Sequence, residues 1–236
     1  MASPRDRRSG LGVPLLVVNL KAYPTVFGER ALRIGRAVES EARAAGVSAA
    51  VCPPATELSR MSRRLRIPVL AQHVDPVDAG ARTGSVPAEA LAAAGVRGSL
   101  VNHSERPIPD RSVGEAVRRL RAVGLASIVC AGDLRSTARL ARFRPDFVAI
   151  EPPELIGGDR SVSTARPEIV SAAVRAVRRV SPRTKVLCGA GVHDRTDVAS
   201  ALRLGSRGVL VASAVARAQR PALAVRELMR GFSLAG

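Results

Sequence analysis

The chain has 236 residues, 46% of them hydrophobic, and a formal charge of +17. No apolar run approaches the ~20 residues of a membrane span, and the basic opening MASPRDRRSG leads into no apolar segment of the secretory kind. No membrane association is therefore expected, and the chain is expected to be cytoplasmic, with residues 1–12 as a flexible basic tail and residues 13–236 as a single domain.

Of 37 basic residues only Lys21 and Lys185 are lysine. The arginines are spread over every helix-like segment and do not form a tail block. Aromatics make up 2% of the chain, too few for base-stacking platforms, and no zinc finger or RNA-binding motif occurs. No specific nucleic-acid partner is therefore expected. Cys52, Cys130 and Cys188 are far apart, lack CxxC spacing and each close a β-like run, which predicts buried free thiols in a reducing compartment.

Taken in order, the chain alternates between strand-like and helix-like segments. Leu15–Asn19 is an apolar run, followed by Ala31, Ile34, Val38, Ala42 and Ala45 at helical spacing. Ser48–Cys52 is a second strand, halted by Pro53-Pro54, with a short helix over 56–65. Residues 68–72 form a third strand and feed a long Asp/Pro/Gly loop over 73–84. A helix over 87–94 ends at Gly95, a natural residue for a helix C-terminus. Residues 98–102 are a fourth strand, and Val113, Val117, Leu120 and Val123 mark the next helix. A fifth strand over 127–130 precedes a short helix over 136–141. Phe147–Ile150 is a sixth strand, and Ile169, Ala173, Val177 and Val180 mark the helix behind it. A seventh strand over 185–189, a helix with Val198, Ala201 and Leu202, an eighth strand over 208–212 and a helix over 221–232 complete the chain.

Eight strands alternating with eight helical segments predict a parallel (β/α)8 barrel. Such barrels carry their chemistry on the loops after the strands, and the polar residues here fall at that end: Asn19 and Lys21, Gln72, Asn102 and His103, Glu151, Gly191, Ser213. Glu151 is a carboxylate where buried strand meets loop, with Pro152-Pro153 stiffening the exit. Lys21 is a lysine in a chain that writes arginine almost everywhere; a compact ammonium suits a small oxyanion, whereas arginine offers a wide planar fork. His103 lies at a strand end beside Glu105 and is an acid–base candidate across the mouth from Glu151. His73 and His193 add no metal-ligand spacing, so no metal is expected. Gly189-Ala190-Gly191 and Ala212-Ser213, after the last two strands, occupy the usual phosphate-binding position of such barrels.

Together, Asn19-Leu20-Lys21, NHSE at residues 102–105, EPPELIG at 151–157 and CGAG at 188–191 resemble the triosephosphate isomerase family. AQHVDP at 71–76 and VAS at 211–213 resemble its shorter, archaeal-type form, and the similarity extends over about residues 13–232. The resemblance implies interconversion of dihydroxyacetone phosphate and glyceraldehyde 3-phosphate, in glycolysis and gluconeogenesis, without a cofactor. It implies Glu151 as the base, His103 as a neutral electrophile, Lys21 as the ammonium facing enediolate charge, Asn19 placing Lys21 and substrate, and Glu105 supporting from behind. The phosphate is expected against Ile156, Gly191, Ala212 and Ser213, under a lid formed by residues 152–163. Thr83, in the stretch GARTG, matches a loop that reaches into a neighbouring subunit, which implies a homo-oligomer, a dimer or a tetramer.

The lid tip departs from the family's Gly-Thr-Gly: here it is Gly157-Gly158-Asp159-Arg160. Asp159 is expected to point away from bound phosphate. Two other readings compete. A barrel aldolase wants a Schiff-base lysine deep on a middle strand, and a metal-dependent epimerase wants clustered histidines and acids; the sequence offers neither. A basic binding protein on a barrel scaffold would instead show nucleic-acid affinity that falls steeply with salt.

Overall fold

The computed structural model describes residues 11–152 and 161–235. Eight short strands all run parallel: β1 (Leu15–Asn19), β2 (Ser48–Cys52), β3 (Leu70–Ala71), β4 (Gly98–Val101), β5 (Ala126–Ala131), β6 (Phe147–Ile150), β7 (Lys185–Cys188) and β8 (Gly208–Val211). They are ordered β2-β1-β8-β7-β6-β5-β4-β3, and a parallel bridge from Val51 to Val69 joins the two end strands and closes the barrel. The other thin junction is β7 to β8, paired in register only at Cys188 and Val209.

Around the barrel lie α1 (Glu29–Ala45), α2 (Leu58–Arg64), α3 (Ala88–Ala93), α4 (Asp110–Ala122), α5 (Leu134–Ala141), α6 (Val162–Ala165), α7 (Pro167–Val180), α8 (Arg195–Arg203), α9 (Ser213–Ala216) and α10 (Pro221–Ser233). This is the (β/α)8 architecture expected from the alternation. No described helix is long and apolar enough to cross a membrane.

Strand periodicity sorts the apolar residues into two layers. Leu15 and Val17 of β1, Ile128 of β5, and Phe147 and Ala149 of β6 pack in one cluster inside the barrel. The alternate residues Leu16, Val18, Val129, Val148 and Ile150 pack outward with the helices. Strands buried on both faces read as continuous apolar runs rather than as alternation, which is why they were visible as short blocks. Each fully buried large side chain contributes roughly 1.5–3 kcal/mol.

Helix ends are set by local chemistry. The Gly46 backbone, at φ +65°, closes α1 with its N–H donated to Arg43 O. Asp133 caps α5: its carboxylate accepts the Ser136 N–H at 2.6 Å, while its own N–H donates to Ser136 Oγ. Asp194 caps α8 by accepting the N–H groups of Thr196 and Asp197.

Several boundaries differ from the sequence reading. The third strand shrinks to two residues; Pro68 has no N–H to give, though its carbonyl accepts from Val51 N at 3.1 Å. The second helix starts at Leu58, after a 3-10 turn over Ala55–Glu57. The fourth strand stops at Val101 because Asn102 takes φ +62°. Strands seven and eight likewise stop one residue early, at Cys188 and Val211. The short helices α6 and α9 were not anticipated, since four residues are too few to reveal a period.

Candidate active site

At the C-terminal mouth, alternation along the strands aims particular residues inward. In β1, Leu15 and Val17 point into the barrel, and Asn19 continues the series. Lys21 follows with left-handed backbone, φ +52°. That conformation is uncommon outside glycine and needs support from neighbours. Asn19 Oδ1 accepts the Lys21 N–H at 2.9 Å. Gln72 Nε2 donates to Lys21 O at 3.0 Å and to Cys52 O at 2.9 Å, tying β1 to the end of β2.

The second left-handed residue is Asn102, a type that tolerates this conformation. Its Nδ2 donates to Cys130 O at 3.0 Å and its Oδ1 accepts the Ile108 N–H at 3.0 Å. The turn breaks strand alternation and buries His103, which is only 6% exposed. From β6, alternation carries Phe147, Ala149 and then Glu151 inward; Glu151 is 4% exposed.

These side chains meet. His103 Nε2 lies 3.8 Å from Glu151 Oε1, and Lys21 Nζ lies 2.7 Å from Glu105 Oε1. The Glu105 N–H donates to His103 Nδ1 at 3.2 Å. A ring nitrogen that accepts carries no proton, so this bond puts the imidazole proton on Nε2, facing Glu151. Burial pushes the His103 pKa below its usual 6.5; the Glu105 carboxylate opposes the shift and the Lys21 ammonium adds to it. The ring is therefore neutral near pH 7.

Glu151 is pushed the other way. Burial raises its carboxyl from 4.5 to about 7, with the Cys130 thiol and Lys21 opposing and Glu105 assisting. Its Oε2 accepts no hydrogen bond from the described residues. Close packing permits the position: a Cβ on Gly189 would sit 2.6 Å from Glu151 Cγ. Cys52 and Cys130 line the interior beneath, with burial pushing the Cys130 thiol up and Cys52 above its ordinary range.

One open cleft is lined by Asn19, Lys21, His103, Glu151, Gly191, Ala212 and Ser213. The cleft thus gathers seven of the residues singled out in the sequence. Glu105 stands behind Lys21 and His103. Thr83 is exposed on a loop and does not line the cleft. Ile156, Asp159 and most of the expected lid, residues 153–160, lie outside the described residues. Sequence reasoning did not assign Tyr23, Val192, His193, Leu210 or Val211 to the lining. Gly189 was readable only as part of a weak Gly-Ala-Gly signal, and Val192 and Leu210 look like ordinary core. Among the described residues no group of three or more His, Cys, Asp or Glu is placed to hold a metal ion.

A parallel barrel that collects ionisable side chains from separate strand ends at one mouth is built as a (β/α)8 enzyme. Comparison with known proteins narrows the class. The family profile described as Triosephosphate isomerase matches residues 14–229. The triosephosphate isomerase of Methanothermus fervidus is 44% identical over 216 residues, 92% of this chain and 97% of its own length. That of Caldivirga maquilingensis is 43% identical over 218 residues, with the same coverage of each chain. In fold, the crystal structure of triosephosphate isomerase from Bartonella henselae superposes with a TM-score of 0.76 at 22% identity, covering 94% of this chain and 100% of that one. The chain belongs to the triosephosphate isomerase family, whose members are aldose–ketose isomerases.

Proposed function

We propose that the chain interconverts dihydroxyacetone phosphate and D-glyceraldehyde 3-phosphate, serving glycolysis and gluconeogenesis in the cytoplasm, with no cofactor. Glu151, as carboxylate, takes a proton from C1 of the ketose. The C–H electron pair becomes the C1–C2 double bond, and charge moves to the carbonyl oxygen. The Nε2–H of neutral His103 and the Lys21 ammonium stabilise that oxygen, an interaction worth far more in a dry site than in water. His103 moves the hydroxyl proton between the two oxygens, and protonated Glu151 returns its proton to C2. The buried carboxylate of Glu151, poised near pH 7 and 3.8 Å from His103, carries this reading.

Asn19 supports it by holding the Lys21 backbone, and Glu105 by holding the Lys21 ammonium. The phosphate sits against the backbone of Gly191, Ala212 and Ser213, joined by Ile156 from the lid over residues 152–163. Asp159 points outward when that lid closes. Thr83 reaches a neighbouring copy in a dimer or tetramer. The aldolase alternative finds no support: Lys185 sits at the start of β7, over the Phe147 ring at 5.4 Å, at the end of the barrel opposite the cleft.

An assay coupling glyceraldehyde 3-phosphate conversion to glycerol-phosphate dehydrogenase tests the activity. Glu151→Asp withdraws the carboxylate by about 1 Å, and turnover should fall about 100-fold or more. Unchanged turnover removes Glu151 from its role.

A further inference from the structure

The arginine load is not distributed evenly between the two ends of the barrel. All strands are parallel, so the residues just before them share one end. There Arg66, Arg97, Arg144, Arg183 and Arg207 each lie within four residues ahead of a strand, all exposed. Helices run back along the barrel and finish at that same end. Besides Arg119, Arg121, Arg139 and Arg230, their last turns carry Arg43, Arg63, Arg64, Arg178, Arg179 and Arg203, these six exposed.

Carboxylates are nearly missing from the same positions. Among the described residues, Asp146 is the one carboxylate within four residues ahead of any strand, and it already accepts from Ser127 N at 2.9 Å and Ser127 Oγ at 3.0 Å. No described α-helix has a carboxylate in its last four residues. At the mouth end the balance differs: Asp75, Glu105, Asp133 and Glu151 follow strands, and first helical turns carry Glu29, Glu89, Asp110, Glu168 and Asp197. Ion pairs reach both ends, the last-turn Arg119, Arg139 and Arg230 included, but they leave most of the far-end cations without a carboxylate. Arg60, Arg118, Arg119, Arg139, Arg195, Arg226 and Arg230 find carboxylates. The eleven far-end arginines named above as exposed have no carboxylate partner among the described residues.

A cation in a last helical turn complements the helix dipole, which accounts for some of these positions. It does not account for the five ahead of strands. Partial charges of about −0.5 at each helix C-terminus also leave eleven full cations largely uncompensated. The chemistry of the face selects among partners. Guanidinium forks match phosphate bidentately. Among the described residues the one large exposed aromatic, Phe27, lies in the loop after β1, at the mouth end. The far face thus offers neither base-stacking rings nor the aromatic centre of a protein–protein interface.

We propose that the N-terminal face of the barrel binds the phosphate backbone of double-stranded nucleic acid without reading its sequence. A duplex presents one charge per roughly 1.7 Å, a density that a face of unpaired arginines neutralises with counterion release. The cleft at the mouth stays open to substrate, and the Thr83 loop, also at the mouth end, stays clear for pairing with a second copy.

The test is fluorescence anisotropy of the full chain with a mixed-sequence DNA duplex of about 24 base pairs, run from about 50 to 200 mM salt. With about six phosphates neutralised, the log–log slope should be about −5, and affinity should fall on the order of 10³-fold over that range. Replacing Arg97, Arg144, Arg183 and Arg207 by Glu should weaken binding about 100-fold or more at low salt. A control set with the same charge change at the mouth end, at Arg30, Arg111, Arg135 and Arg220, should weaken it less than about tenfold. Thermal unfolding checks the fold of both sets independently of any activity, and Arg→Gln versions replace a set that misfolds. No binding at about 50 mM salt overturns the proposal. So does equal loss from both sets, or tighter binding to phosphatidylserine vesicles or polyglutamate than to the duplex.

Discussion

Gly189→Ala is the sharpest probe of the cleft. The Gly189 backbone lies outside the left-handed region, so the added methyl meets no conformational penalty of its own. What it meets is Glu151, with Cγ at 2.6 Å and both Cδ and Oε1 at 3.1 Å, where ordinary contact begins near 3.4 Å. The glutamate must retreat by about 0.8 Å at Cγ. It cannot do so freely, being buried and anchored through its N–H to Ala131 O at 2.8 Å. A misplacement near 1 Å costs about 100-fold in rate, or roughly 2.7 kcal/mol of barrier. The coupled isomerase assay should therefore show kcat reduced on the order of 10²-fold, with KM changed less than about threefold because the phosphate wall is untouched. Overpacking should cost about 1–3 kcal/mol of stability, leaving the protein folded at room temperature. A variant whose kcat stays within about twofold of the parent, in a folded protein, refutes the claim that this clearance positions the base.

The pH dependence has a definite sign. Proton abstraction needs the Glu151 carboxylate, and burial raises its pKa to about 7, so kcat/KM should drop about tenfold per unit below that value; an acidic limb near 4.5 contradicts the burial argument. Because the folded protein holds this proton more tightly than the unfolded chain, wild-type stability falls as pH rises from 4.5 to about 7. Glu151→Gln should thus melt higher than wild type at pH above 7, with the gap closing toward pH 4.5 in calorimetry; a constant gap excludes the linkage. Gln72→Leu leaves the carbonyls of Lys21 and Cys52 without their donor, which should lower the thermal midpoint by at least about 4 °C and kcat/KM about tenfold. If neither quantity moves, Gln72 does not hold Lys21.

Much of this was legible in the chain itself. Short apolar blocks separated by helical periods announce a parallel barrel, because strands covered on both faces need no polar residues until they reach the mouth. The charged and polar residues at strand ends were legible for the same reason. The geometry that makes them a site was not. Nothing in the sequence says that Asn102 leaves the strand in a left-handed turn, or that Gly189 owes its lack of a side chain to Glu151. Gln72 could be seen at a strand end, but its two carbonyl partners lie 20 and 51 residues away. The polarity of the arginines is visible in the sequence only once every strand has a known beginning.

The two thin junctions of the barrel, the lone Val51–Val69 bridge and the single β7–β8 register pair, divide it into unequal arcs. Strands β8, β1 and β2 form one arc and bring the ammonium; β3 to β7 form the other and bring the imidazole and carboxylate. The proposed reactive groups are thus held on opposite sides of two weakly stitched seams. Any loosening of the cylinder widens the gap between them before a helix is lost, so turnover reports the tightness of the closure itself.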